Sequence, residues 1–364
     1  MLTRSLLFIL LLLPGFLIAQ TAPAENETNR ALKIREANKC LYSEPQKAIN
    51  LSYEVFKETD DYELKITALA IIINGYSSLH EVGKALEYSE EAMKIAQKSN
   101  SIPHQIWALG LMGEQYQVGG QNTISRELLD RAKDLIASAD FSEESGALAL
   151  GNIYAIIGNG YKDEIDCKYA IQNYNKAIDA YKPYLHNSAA KNNLALVYLE
   201  KGDCLLELNT AGRAKEYYQK AILISEESDL QEYLQRGKTA LAKAESRLNN
   251  FEISSALASD LLNEAHLPVE LKNKVYRTLA TNGLNTGDLE SFKKYETEFI
   301  QTSKELNSIK NRVYEQVLDF MENNQPEKNR SKNNYLYGLL IPFAGIGIFE
   351  LFYKKRRNRS DNNA

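Results

Sequence analysis

The sequence predicts an all-α protein, a solenoid of helix hairpins followed by one C-terminal transmembrane helix. Three observations carry that expectation. A helical pattern recurs along the chain, with landmark tyrosines 40, 38 and 44 residues apart. Glycine-containing turn signals such as Gly120, Gly202-Asp203 and Gly287-Asp288 punctuate it. Apolar runs stand at both ends of the 364 residues.

From the N-terminus, Arg4 precedes LLFILLLLPGFLI (6–18), and small Ala19 follows. A positive start, a short apolar run and a small residue make residues 1–19 a signal peptide, cleaved before Gln20. The repeat region then spans 28–302. Its second helices read AINLSYEVFK (48–57), ALEYSEEAMKIA (85–96), SRELLDRAKDLIA (125–137), AIQNYNKAIDAY (170–181) and AKEYYQKAILIS (214–225). Each opens on a small residue, and seven positions on come Val55, Ala92, Ala132, Ala177 and Ala221. Seven residues are two turns, so both positions share a face, and alanine there lets a neighbouring helix approach.

The matching first helices carry Tyr76, Tyr116, Tyr154 and Tyr198, each with an apolar residue four before it: Ile72, Met112, Leu150 and Leu194. Gly113, Gly151 and Ala195 stand three before their tyrosines. On this alignment Tyr76–Ala85 and Tyr116–Ser125 are nine residues apart, but Tyr154–Ala170 and Tyr198–Ala214 are sixteen. The difference reads as a seven-residue insertion in two adjacent units, split between the helices of each hairpin. It makes either a longer variety of the same unit or a ridge for a partner.

These residues resemble the tetratricopeptide repeat, W-x2-L-G-x2-Y followed by A-x3-F. The match is good in four units over 64–226, partial at 29–59 and weak at 229–266 and 268–302, about seven pairs in all. The resemblance implies a right-handed superhelix whose concave face binds a protein or peptide through first-helix side chains. It selects Asn74, Ser78, Trp107, Glu114, Gln117, Asn152, Asn192 and Glu200. Trp107, the single tryptophan, is either a binding hot spot or a packed residue. The carboxylate-clamp cations of some family members are absent from these positions, which argues against an acidic C-terminal peptide.

Catalysis is not expected. His80, His104, His186 and His266 are isolated, and no H-E-x-x-H, G-x-S-x-G, Walker or G-x-G-x-x-G motif occurs. The chain is therefore read as a non-enzyme without cofactor or metal. Residues 20–334 hold 37 Lys+Arg against 46 Asp+Glu, an acidic balance that argues against nucleic acid. Cys40, Cys167 and Cys204 are not a disulfide framework. Cys167 and Cys204 fall in consecutive units, however, and are either bridged or separate small buried residues.

Beyond the repeats, Leu306, Ile309, Val313, Val317 and Phe320 mark a helix over 303–321, a solenoid cap or a short coiled coil between chains. Residues 322–334 (ENNQPEKNRSKNN) read as a flexible stalk. The nineteen residues 335–353 cover about 28 Å, one hydrocarbon core, and the basic tail 354–364 follows. That layout resembles the exported input half of bacterial membrane-bound tetratricopeptide sensors, without an output domain. It implies a single-pass protein of the inner membrane, its repeats periplasmic and its tail cytoplasmic, serving as a scaffold for a protein or peptide and as the sensory input of a signalling system. Two alternatives stand beside it: a structural assembly factor for envelope complexes, and a truncated receptor whose output domain is on a separate chain.

The topology is directly testable. Five basic residues follow position 353, against three in the stalk, and the leader independently directs the repeats outward. Protease added to outer-membrane-permeabilised cells should digest the repeats and spare a tag placed after Ala364. A cut tag with intact repeats would reverse the orientation.

Overall fold

Short polar residues set the helix starts. Asp61 accepts a hydrogen bond from the Leu64 N–H, Ser101 from His104, Asp166 from Lys168, and Asn187 from Ala189 and Ala190. Each satisfies donors that the first helical turn leaves unpaired. The computed structural model describes residues 25–324 other than 140, 141, 165 and 265. Among these residues it shows fourteen α-helices, one 3-10 turn and no strand.

The helices form seven consecutive pairs. They are α1 (Glu25–Cys40) and α2 (Pro45–Glu58), α3 (Tyr62–Ser78) and α4 (Val82–Lys98), α5 (Ile102–Val118) and α6 (Asn122–Ser138), and α7 (Glu143–Glu164) and α8 (Cys167–Tyr181). After a 3-10 turn at Lys182–Tyr184 come α9 (Ser188–Glu207) and α10 (Ala211–Glu227), α11 (Gln231–Arg247) and α12 (Phe251–Leu262), and α13 (Val269–Thr286) and α14 (Leu289–Asn323). The chain divides into two units at Val317–Leu318, and the contacts below lie within the first. From α1 to α13 each odd helix touches the odd helices before and after it as well as its even neighbours. The odd helices are thus an inner layer and the even helices an outer one, a solenoid. A continuous apolar core runs from α3 to α11.

One hydrogen bond fixes the hairpin register. The N–H of Glu81 bonds the Tyr76 carbonyl, Gln121 bonds Tyr116, Asp166 bonds Tyr161, Thr210 bonds Leu205 and Asn250 bonds Glu245, at 2.7 to 3.1 Å. Each is the long bond of a Schellman-type ending. The intervening turns place His80, Gly120, Asn209 and Asn249 at φ between 56° and 78°, where glycine, Asn and a few other polar residues are tolerated. The residues equivalent to Tyr76 and Tyr116 are therefore Tyr161 and Leu205, not Tyr154 and Tyr198. The sequence alignment slipped by seven residues in two units, and the insertion between the helices does not exist. The extra length lies at the front of the odd helices, α7 having 22 residues and α9 20 against 17 in α3 and α5.

Side-chain packing repeats the same register. Leu129 sits against Gly113, Tyr174 against Gly158 and Tyr218 against Gly202, always sixteen residues apart. A methyl group at Gly158 or Gly202 would meet the tyrosine ring at 2.6 or 2.5 Å. The rings are fully buried, and their hydroxyls donate to Asn159 and Asp203, both at 2.8 Å. In α7 a second notch repeats the arrangement two turns earlier, with Tyr181 on Gly151 and its hydroxyl on Asn152.

The C-terminal helix departs from expectation. No glycine or proline interrupts 289–323, so the helix expected at 303–321 is the distal half of α14, a rod about 52 Å long. Its first half packs on α13, where Asn273 donates to the Phe299 carbonyl and to Thr302 and Ser303. Its second half reaches the early repeats, with Gln316 against Gly83 and Val317 seated on Gly119. Val313 and Val317 are buried within the chain. Among the described residues no helix is long and apolar enough to cross a membrane. The leader 1–19, the span 335–353, the tail and all but the start of the stalk lie outside the described residues.

Gly158→Ala and Gly202→Ala should each destabilise the chain by about 1–3 kcal/mol, because the buried ring cannot retreat. Gly212→Ala, with open space around it, should change stability by no more than a few tenths. Urea unfolding midpoints of the three variants check the contrast.

Candidate functional site

The corrected register aligns one inner-face row along the solenoid. Two residues before the turn-setting carbonyls stand Asn74, Glu114, Asn159, Asp203 and Lys243. The row has two parts of different character.

In the early repeats it is covered. Asn74 and Glu114 are each only 2% exposed. Tyr42, from the α1–α2 connection, lies among Tyr233, Glu232, Glu114 and Arg236, and burial first, then those acidic neighbours, raise its pKa well above the ordinary phenol value. Across the same region the His80 Nε2 lies 3.5 Å from Glu270 of α13. Burial lowers the His80 pKa and Glu270 opposes that, while Arg312 of α14 adds to the lowering. Glu232 faces Arg236 and Glu270, and burial pushes its carboxyl up to about 7.

Between α7, α9, α11 and α13 the inner face opens into a cleft of about 610 Å³, solvent included. Leu199, Ala240 and Leu271 supply apolar lining, Thr239 adds a hydroxyl-bearing side chain, and the charged residues Lys162, Asp203, Glu207, Arg236, Lys243 and Lys274 line the rest. Behind it lies Glu200, 1% exposed, held by Lys162 at 2.9 Å and Arg236 at 2.5 Å. Lys162 also reaches Asp203 at 3.5 Å. Burial opposes ionisation of Asp203, but Lys162, Lys274, Lys243 and Arg236 outweigh it and hold the carboxyl far below its usual range. Burial lowers the pKa of Lys243 and Lys274, with Asp203 opposing in both; neighbouring cations lower them further. Such a lining can recognise charge; it contains no arrangement of nucleophile and base.

The structure scatters the residues selected from sequence. Asn74 and half-buried Ser78 have side-chain oxygens without a hydrogen-bond partner among the described residues. Trp107 is 7% exposed within the α3–α11 core. Glu114 lies in the covered part of the inner face. Gln117, with its amide oriented to satisfy both ends, donates to the Ile156 carbonyl at 3.2 Å and accepts from the Gly160 N–H at 2.7 Å, tying α5 to α7. Asn152 accepts from Tyr181 and, at 2.8 Å, from Asn193. Asn192 is half-buried with an unpartnered oxygen. Glu200 is the anchor behind the cleft. Sequence reading missed Lys162, Asp203, Glu207, Lys243 and Lys274. The glycines sixteen residues before Tyr174 and Tyr218 were the signal that would have located the first three.

Cys167 of α8 and Cys204 of α9 form a disulfide with a Cα–Cα distance of 5.0 Å, beside the Asp203–Glu207 face of α9. The sequence left this bridge open. Cys40 is free and buried, and burial raises its thiol pKa. Among the described residues no cluster of His, Cys, Asp and Glu could hold a metal ion.

No family model matches the chain, and no curated protein matches it. Solved structures do. RapI in its apo form superposes with a TM-score of 0.52 at 14% identity, over 77% of this chain and 99% of that one. NprR, solved in complex with its cognate peptide NprX, superposes with a TM-score of 0.51 at 13% identity, over 89% of this chain and 99% of that one. The likeness establishes the fold, a tetratricopeptide-like solenoid.

Glu232 of α11 gives the solenoid a pH signature. Its folded pKa near 7 exceeds the unfolded carboxyl value, so the folded state binds the extra proton. That stabilisation is present at low pH and lost as pH rises from about 4.5 to 7, by up to about 3 kcal/mol. Glu232→Gln should gain stability relative to the parent between pH 5 and 8, as read from urea midpoints at both values. An unchanged difference would show that Glu232 ionises normally.

Proposed function

We propose that this chain is a scaffold that binds a protein or peptide on the inner face of its solenoid. The single observation that carries the reading is the cleft among α7, α9, α11 and α13, where four consecutive inner helices converge on a charged, partly apolar recess. A site built by several hairpins suits an extended ligand that touches one side chain per unit. NprR, which shares the fold, is solved with a cognate peptide. The lining offers recognition chemistry rather than a reacting group, which favours binding over catalysis.

The binding surface in this reading is the cleft, with Glu200 positioning its cations and half-buried Ser78 and Asn192 as outlying contacts, while Asn74, Gln117 and Asn152 are held in the packing. Trp107 and Glu114, buried here, support it from behind. We further propose export and tethering at the inner membrane, on the sequence of the two apolar termini. The Cys167–Cys204 bridge supports that location, since structural disulfides persist in oxidising compartments. A sensory input role follows if the tether passes occupancy to a separate membrane protein.

A photo-crosslinking residue at Ala240, in the cleft, should capture a discrete partner in cells, whereas one at exposed Gln219 on the outer helix α10 should not. Capture at Gln219 alone would move the binding surface to the outer layer and overturn the reading.

A further inference from the structure

The cleft brings together four cations, Lys162, Arg236, Lys243 and Lys274. Three carboxylates of α9 face or back them, Glu200, Asp203 and Glu207, while Glu232 on the far side of Arg236 has its carboxyl pushed up to about 7 by burial and is counted as protonated. In a chain of net charge −5, this recess carries an excess of one positive charge. The pairing within it is uneven. Glu200 is shared by Lys162 and Arg236. Asp203 is engaged by the Tyr218 hydroxyl at 2.8 Å and by Lys162 at 3.5 Å. Lys243 and Lys274 make no hydrogen bond or ion pair among the described residues.

An ammonium in a recess with no direct partner bears a desolvation cost that an incoming anion relieves. The network around Glu200 holds Lys162 and Arg236 in place and occupies them, so Lys243 and Lys274 are the cations left to face a ligand. Leu199, Ala240 and Leu271 lie alongside and can receive an aliphatic stem. One surplus positive charge suits a monoanion better than a doubly charged phosphate group.

We propose that this cleft is a carboxylate site, in which Lys243 and Lys274 hold an acidic group of the bound peptide, either its C-terminal carboxylate or an Asp or Glu side chain. The assignment rests on the partner-binding reading and names its chemistry. These two lysines lie outside the positions at which the sequence showed no clamp cations, on helices where the repeat pattern is weak. The corrected register puts Lys243 in the same inner row as Asn74 and Asp203.

The test presents the purified full chain with three pools of random decapeptides. One has free C-termini and no Asp or Glu, one has amidated C-termini with Asp and Glu, and one is amidated with neither. The parent chain should retain at least one acid-bearing pool about tenfold better than the neutral pool, the worth of one charge-assisted contact. Retention of the first pool identifies the C-terminal carboxylate, and retention of the second a side chain. Lys243→Met/Lys274→Met should abolish the preference, leave neutral-pool retention unchanged, and give a thermal midpoint no lower than the parent's, since the desolvation cost of the two ammonium groups is removed. Equal retention of all three pools by the parent overturns the carboxylate site and leaves the scaffold reading standing. A preference that survives in the double variant overturns the assignment to this cleft. Retention of no pool overturns the peptide-binding reading and this inference with it.

Discussion

The fit of a bulky even-helix side chain into a notch on the preceding odd helix is the constraint on which the rest depends. Leu129 on Gly113, Tyr174 on Gly158 and Tyr218 on Gly202 fix the helix separation and the register of successive hairpins. A tyrosine there does more than fill space. Its hydroxyl must reach a polar group on the opposing helix or be buried unpaired, and Asn159 and Asp203 meet that need. The requirement links fold to site. Asp203 anchors Tyr218 with one oxygen and faces the cations of the cleft with the other, so the packing of α10 helps orient the charges on the inner face.

Much of the fold was legible because its signals are local. Small residues seven apart reveal the outer helices, and Gly120 and Gly287 reveal turns, whereas Gly202-Asp203, which the sequence reads as a turn, lies inside α9. The alignment failed in the fourth and fifth units for a physical reason. Tyr154 and Tyr161 are two turns apart on one helix face, so helical periodicity cannot choose between them. The choice belongs to tertiary packing: a glycine is needed where a ring lands, and Gly158, not Gly151, stands sixteen residues before a tyrosine on the next helix's buried face. The slip moved the expected groove residues to Asn152 and Glu200, behind the inner row that holds Asn159, Asp203 and Lys243.

The remaining gap is long-range. Nothing near Lys274 in sequence distinguishes it from a solvated lysine on an amphipathic helix, because its neighbours Asp203 and Arg236 lie about 40 to 70 positions away in the chain. Trp107 illustrates the converse. Its aromatic character fits either a contact surface or a packed position, and the stacking of hairpins puts it in the core. Inner-layer helices are buried on more sides than outer ones, so their large side chains are mostly structural and their exposed row is narrow.

The contacts of α14 with the early repeats alter the folding character of the solenoid. An open stack has only neighbour-to-neighbour interfaces, and its ends can fray one repeat at a time. Here Gln316 meets Gly83, Val317 meets Gly119 and Glu270 meets His80, joining positions 190 to 233 residues apart. Such contacts raise the contact order of an otherwise local topology and delay the reward for closing the loop until most hairpins have formed. The last repeats and the second then open together or not at all. This chain should behave less like a linear array, which yields by degrees, and more like a single cooperative body.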